Sequence, residues 1–305
     1  MLEQTHFHSY DNKVLCVERW TIDYPTGVVC ICHGMAEYAA RYERFAKFLN
    51  SQGLDVWSYD QRGHGNHLSP EDTVGYVAKE NGWSILVKDL GSFIDFVQKN
   101  YSSLPTTLLG HSMGSLVALN CMQKCKPNVQ GLVLSSFPEN PGLLRDVGAS
   151  VASIQKAFAG GTSLAKIHTA LSFGAYNKAY KPNRTDFDWI SRDELEVDKY
   201  VNDPLCGATF TASFFSNLLE GVKSTHNRSM MTAMNRDVPV YMFCGSEDPV
   251  VGLAKGFDKS VAKVRAVMRD VQTKTYKGGR HEMLNETNRD EVSTDIATWI
   301  KIKTC

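Results

Sequence analysis

The sequence predicts an α/β fold: a mostly parallel, eight-stranded sheet with helices on both faces and a helical segment inserted late in the chain. Three observations predict it. Short apolar runs alternate with longer amphipathic ones, the rhythm of strands separated by helices. Several of the short runs are apolar at every position, as strands covered on both faces are. Glycine-rich turns follow the runs at residues 33–34, 60–65 and 110–114, along the edge where such sheets bind ligands.

The elements follow in order. Val14 to Trp20 and Val28 to Cys32 read as strands. Tyr42, Phe45, Ala46, Phe48 and Leu49 carry helical spacing, which Gly53 ends. Leu54 to Tyr59 is a strand stopped by Asp60-Gln61-Arg62-Gly63-His64-Gly65. A helix from Gly82 to Gln98 presents Ile85, Leu86, Leu90, Ile94 and Val97. Thr106 to Leu109 runs as a strand into Gly110-His111-Ser112-Met113-Gly114, and Leu116 to Met122 continues as a helix. Leu132 to Leu134, Val238 to Cys244 and Thr273 to Tyr276 complete the strands that periodicity identifies. About a hundred residues before Val238 hold no strand pattern, too many for a loop in a compact domain. Residues 138–205 are therefore expected to form a helical cap over the sheet's carboxyl edge, with residues 1–137 and 206–305 as the core. Its stripe of Leu143, Leu144, Val147, Val151, Ile154 and Phe158 is a packing face, a cover for a bound apolar chain, or a face that touches a membrane or micelle transiently. Phe210 to Val222 is expected to be a core helix.

Composition narrows the function. Lys+Arg and Asp+Glu both number 33, which removes the electrostatic argument for nucleic acid or an anionic membrane. No apolar run approaches the roughly 18 residues of a membrane span, and the first residues lack the pattern of a secretory signal. The expected location is cytoplasmic, so the eight cysteines are expected to be reduced and mostly buried as small apolar residues. Cys121 and Cys125 share a helix face, but no metal-ligand spacing surrounds them, and no metal or cofactor is expected. Neutral charge with an apolar cap face is compatible with a monomer or a homodimer.

The chemistry centres on Gly110-His111-Ser112-Met113-Gly114, a G-x-S-x-G with a strand before it and a helix after it. A nucleophile on so tight a turn needs neighbours without side chains, and the helix N-terminus then faces the charge that develops. This is the setting of the nucleophile in the α/β-hydrolase fold, where an acid and then a histidine follow in chain order. Asp248, in Gly245-Ser246-Glu247-Asp248-Pro249, is the expected acid; Glu247 beside it and Glu139 after the preceding strand are lesser alternatives. His281, just past the last strand, is the expected base. His6 and His8 read as surface groups, and His168 and His226 have no supporting context. The backbone N–H groups of Met35 and Met113 are the expected oxyanion donors.

These segments together resemble monoacylglycerol lipases and lysophospholipase-like hydrolases. The carriers are His33-Gly34-Met35-Ala36-Glu37-Tyr38-Ala39-Ala40-Arg41-Tyr42, the 60–65 turn, the Ser112 motif, Asn202-Asp203-Pro204-Leu205, the Asp248 segment and Gly279-Arg280-His281-Glu282-Met283-Leu284-Asn285-Glu286. The resemblance runs from about residue 30 to the end of the chain. It implies a mobile cap over an apolar acyl tunnel, a small polar head-group pocket and a small-molecule acyl ester or lipid as substrate. Glu37 and Arg41 match positions near that pocket. Their residue types fit substrate binding and an internal ion pair equally. Asp60, Arg62 and His64 read as braces. Leu284 departs from the vertebrate-type pattern, which has a second histidine there, so lysophospholipid and monoacylglycerol both remain open. A peptidase or thioesterase with the same triad, and a ligand-binding scaffold without catalysis, are the competing readings.

Overall fold

The computed structural model describes residues 2–67, 72–101, 103–140 and 142–305; within them the side chains of Leu2, His67, Leu143, Leu144, Ile167 and residues 170–173 are excluded. Eight strands form one sheet: β1 (Leu2–His8), β2 (Val14–Trp20), β3 (Gly27–Cys32), β4 (Leu54–Tyr59), β5 (Thr106–His111), β6 (Gly131–Ser135), β7 (Val240–Gly245) and β8 (Val271–Tyr276). Their order is β1-β2-β4-β3-β5-β6-β7-β8. The first two pairings are antiparallel and the other five parallel. The sheet is therefore the mostly parallel one expected, and the fold is that of an α/β-hydrolase.

Strands β3 to β7 are buried at every position because helices cover both faces. In β3, Cys30 and Cys32 point into one core and Ile31 into the other. Helices α1 (Glu43–Ser51) and α10 (Arg289–Lys303) cover one face. Helices α2 (Gly82–Gln98), α3 (Met113–Lys124) and α9 (Leu253–Arg265) cover the other. β1 escapes periodicity because it is an edge strand that buries Phe7 while His6 and His8 face solvent. The cysteine expectation needs one correction: Cys125 ends α3 and is exposed, as is Cys305.

Between β6 and β7 lie α4 (Leu143–Ala159), α5 (Lys166–Asn177), α6 (Glu194–Asn202), α7 (Ala212–Thr225) and α8 (Arg228–Met231). The core helix expected from Phe210 starts two residues later, because Thr211 caps it by accepting from the Phe214 N–H. No helix among the described residues is long and apolar enough to cross a membrane.

The insertion is held in two different ways. Residues 188–196 are fastened to the segment after β8. Arg280 Nη1 donates to the carbonyls of Asp188 (2.5 Å) and Ser191 (3.0 Å). Arg192 pairs with Glu286 at 2.9 Å, and Arg289 with Asp193 at 2.5 Å. By contrast, α4 and α5 rest on α7, where His168 stacks on Phe215 with ring centroids 5.3 Å apart. The packing-face reading of the α4 stripe is corrected here. Arg145 and Ala152 turn inward, with Gly148, Ala149, Gln155 and Lys156 partly covered, whereas Val147, Val151, Ile154 and Phe158 face outward, Phe158 at 90% exposure. Leu143 and Leu144 of that stripe lie outside the described side chains.

Close backbone contacts fix the turn at Ser112. A Cβ on Gly114 would sit 2.0 Å from the Cys32 carbonyl oxygen, and one on Gly110 would sit 2.4 Å from the Gly114 carbonyl oxygen. Both obstacles are main chain and cannot swing away. Gly114→Ala is expected to destabilise the protein by about 3 kcal/mol, at the upper end of overpacking penalties. Urea unfolding of the purified variant checks this, and an unchanged midpoint contradicts it.

Candidate active site

Ser112 stands between β5 and α3 with φ 51° and ψ −122°. A positive φ is costly for a residue with a Cβ, and such strain persists only where the surroundings impose it. Here the Ser112 N–H donates to the Ser135 carbonyl at 2.9 Å, and the Ser115 N–H donates back to the Ser112 carbonyl at 2.9 Å. The turn leaves Ser112 partly exposed at the N-cap of α3, with Met113 as the first helical residue. The N–H groups of a helix's first turn have no intrahelical partners and carry its positive dipole end.

Asp248 and His281 meet at the carboxyl ends of β7 and β8. His281 Nδ1 lies 3.0 Å from both Asp248 oxygens. Asp248 is fully buried, and its Oδ1 also accepts the Val250 N–H at 2.9 Å. Gly245 lets the two loops touch, since a Cβ there would sit 2.0 Å from the Gly279 carbonyl oxygen. The sequence alternatives lie elsewhere. Glu247 is exposed, and Glu139 pairs with Lys259 at 3.3 Å. No direct hydrogen bond joins Ser112 Oγ to His281 among the described residues; such contacts are often loose before substrate binds.

The environment of His281 sets its protonation. Burial disfavours the imidazolium, but the charge and hydrogen bond of Asp248, aided by Glu282 and Glu37, outweigh burial and raise its pKa above the ordinary histidine value. His111, with its ring 4.8 Å from that of His281, is pushed down to about 4 by burial and by the nearby His281 charge. A base must be neutral to take a proton. Activity is therefore expected to fall as pH drops through the raised pKa of His281, giving a kcat/KM acid limb above the ordinary histidine value near 6.5. A pH–rate profile on a short ester checks this, and a midpoint clearly below 6 contradicts it.

The loop with Met35 is braced from three sides. Gly34 packs so closely that a Cβ would lie 3.3 Å from Ser112 Cβ. Ala36 is left-handed, and its carbonyl accepts from Tyr200 Oη (2.9 Å) and from the Gly207 N–H (3.0 Å). Glu37 Oε1 accepts the Gly34 N–H at 2.6 Å and Tyr42 Oη at 3.0 Å, while Oε2 accepts from Arg41 at 2.8 Å. Arg41 turns its other contacts to Glu282, at 2.9 and 2.7 Å. Both sequence-selected residues are thus joined in an internal ion network. They also line a cavity of about 20 Å³ with His111, Glu282 and Leu284. The expected braces behave as such. Asp60 accepts the N–H groups of Ala39 and Asn66, and Arg62 pairs with Asp89 at 2.7 Å. His64 packs against Phe210, ring centroids 4.7 Å apart.

Two neighbours of His281 were not selected from the sequence. Glu282 stood in a quoted motif, but only its link to Arg41 singles it out. The ring of Trp189 lies 5.1 Å from that of His281, and no periodicity marks a residue of an irregular segment for such a contact.

Comparison with known proteins gives the family. The family model described as serine aminopeptidase, S33, matches residues 23–288, most of the chain. The chain belongs to this family. Among curated relatives, the human monoglyceride lipase is 26% identical, over 98% of this chain and 90% of its own length. A phospholipase of Bacillus subtilis is 26% identical, over 90% of this chain and 94% of its own. Among solved structures, a thermostable carboxyl esterase from Bacillus coagulans in complex with glycerol superimposes with a TM-score of 0.91 at 24% identity, covering 99% of this chain and 98% of that one. This S33-family member is a serine ester hydrolase.

Proposed function

We propose that the protein hydrolyses monoacyl lipid esters, a monoacylglycerol or a lysophospholipid, through Ser112, His281 and Asp248. The observation that carries this reading is the strained Ser112 at the head of α3, next in the chain to His111, whose ring lies 4.8 Å from that of a buried histidine hydrogen-bonded to a buried aspartate. Ser112 Oγ attacks the acyl carbonyl carbon as His281 Nε2 takes its proton, and Asp248 holds Nδ1–H and steadies the imidazolium. The carbonyl oxygen becomes an oxyanion facing the N–H groups of Met35 and Met113; losing one donor costs about 3 kcal/mol in the transition state. His281 passes its proton to the leaving alcohol, then removes one from water as that water attacks the acyl-enzyme. Glu37 and Arg41 act by holding the donor loop beside the head-group cavity. Residues 138–205 cap the site, and the outward face of α4 offers Val147, Val151, Ile154 and Phe158 to a lipid surface.

The names of the human and Bacillus relatives support the two head groups. The family's description as serine aminopeptidases favours a second reading, a peptidase, since the same triad cleaves amides. The deciding assay compares fatty-acid release from a monoacylglycerol and a lysophosphatidylcholine with cleavage of amino-acid p-nitroanilides, with Ser112→Ala as the blank. Release from either lipid, absent in the blank, is expected. Cleavage of the anilides alone would replace the lipid reading with the peptidase one.

A further inference from the structure

We propose that Glu282 is a positioning residue that, through Arg41, locks the loop of the general base to the loop of an oxyanion donor. The proposal rests on the roles given above to His281 and Met35. The two loops hang from strands far apart in the sheet: Met35 follows β3 and His281 follows β8, with β5, β6 and β7 between them. Sheets twist at every strand, so pairing alone fixes the distance between such loops poorly. A direct tie crosses that gap. Gly34, next to Met35, donates its N–H to Glu37; Glu37 accepts from Arg41; Arg41 grips both oxygens of Glu282, next to His281.

The tie is rigid. The side chains of Arg41 and Glu282 are 11% and 7% exposed, and their two parallel bonds fix the guanidinium plane. Arg41 lies over the Tyr200 ring at 4.8 Å, and Asn285 Nδ2 donates to Glu282 Oε2 at 2.7 Å. Desolvation opposes charge on Glu282, but Arg41 outweighs it and holds the carboxyl down to about 2. The network of two carboxylates and one guanidinium thus leaves one net negative charge near His281. That imidazole is faced by Asp248 from the β7 loop, Glu282 on its own loop, Glu37 from the β3 loop, His111 from β5 and the Trp189 ring from the insertion. Glu282 therefore sets both where the base stands and how readily it is protonated. The loop has independent anchors in Glu286, which accepts the Arg280 N–H and pairs with Arg192, both at 2.9 Å. Glu282→Gln, close in shape, is accordingly expected to fold.

The test follows phosphonylation of Ser112 by a fluorophosphonate, read as intact mass, and hydrolysis of p-nitrophenyl acetate, both against pH, for wild type, Glu282→Gln, Glu282→Ala and Ser112→Ala. Neither probe depends on the natural substrate. Glu282→Ala is expected to lose about 10²-fold in labelling rate and kcat, the scale of a 1 Å misplacement, with KM little changed. Glu282→Gln is expected to lose less, with its acid limb displaced to lower pH. Wild-type rate and midpoint in both Glu282 variants, with labelling abolished in Ser112→Ala, overturn the role of Glu282 and leave the triad standing. A rate loss that only tracks the unfolded fraction, with the midpoint unmoved, overturns it too. Labelling that persists in Ser112→Ala overturns the proposed function itself.

Discussion

Ser112→Ala is expected to lower kcat on an activated ester by about 10⁶-fold, the scale seen when a triad serine is removed, and to leave KM within a small factor. The side chain lost is one oxygen at a partly exposed turn, so little packing is disturbed. The proposed oxyanion donors, the Met35 and Met113 N–H groups, are main-chain and survive, so some rate above water is expected to remain. The strained φ of 51° also survives, because Gly110, Gly114 and the bond to Ser135 impose it from outside. Alanine is expected to melt at or slightly above the wild-type temperature. Stopped-assay kinetics beside a melting curve check both halves. A variant within tenfold of wild type would place the nucleophile elsewhere.

Asp248→Asn is expected to cost about 10⁴-fold in kcat, since an amide at that place can donate to Nδ1 and pin the wrong tautomer of the histidine. The effect should exceed that of a simple charge loss because the contact is buried and His281 Nδ1 has both aspartate oxygens at 3.0 Å. The substitution also removes the principal influence that raises the His281 pKa, so the residual activity should show its acid limb at lower pH. The neighbouring Glu247→Gln is the control: Glu247 is exposed, and a change within about twofold is expected of such a site. Equal losses at both positions would remove Asp248 from its role.

How much of this was legible in the sequence depends on the physics of each element. The buried parallel strands announce themselves because both faces must be apolar, and the turn at Ser112 because only glycines permit it. Asp248 and His281 follow from chain order and strand ends. β1 does not announce itself, since one buried Phe7 leaves almost no periodicity. α10 was legible but passed over: Val292, Ile296 and Ile300 lie four residues apart on one buried face. The outward face of α4 misleads, because the helix buries small and polar positions and leaves its large apolar ones in solvent. The link from Arg41 to Glu282 could not be read at all, since it joins residues 241 positions apart and needs the finished sheet to bring them together.

The uneven fastening of the insertion carries a consequence for how the enzyme can work. Residues 188–196 share salt bridges with the segment after β8, and α5 joins them through Asn177, which accepts the Trp189 N–H at 3.1 Å, and through Tyr176 on the Trp189 ring, while α4 rests mainly on α7. In the function proposed above, entry of a bulky acyl chain can be accommodated by displacement of α4 while His281 and Asp248 stay in contact. In that reading admission and turnover hang from separate supports, so mutations that loosen α4 need not slow the chemistry.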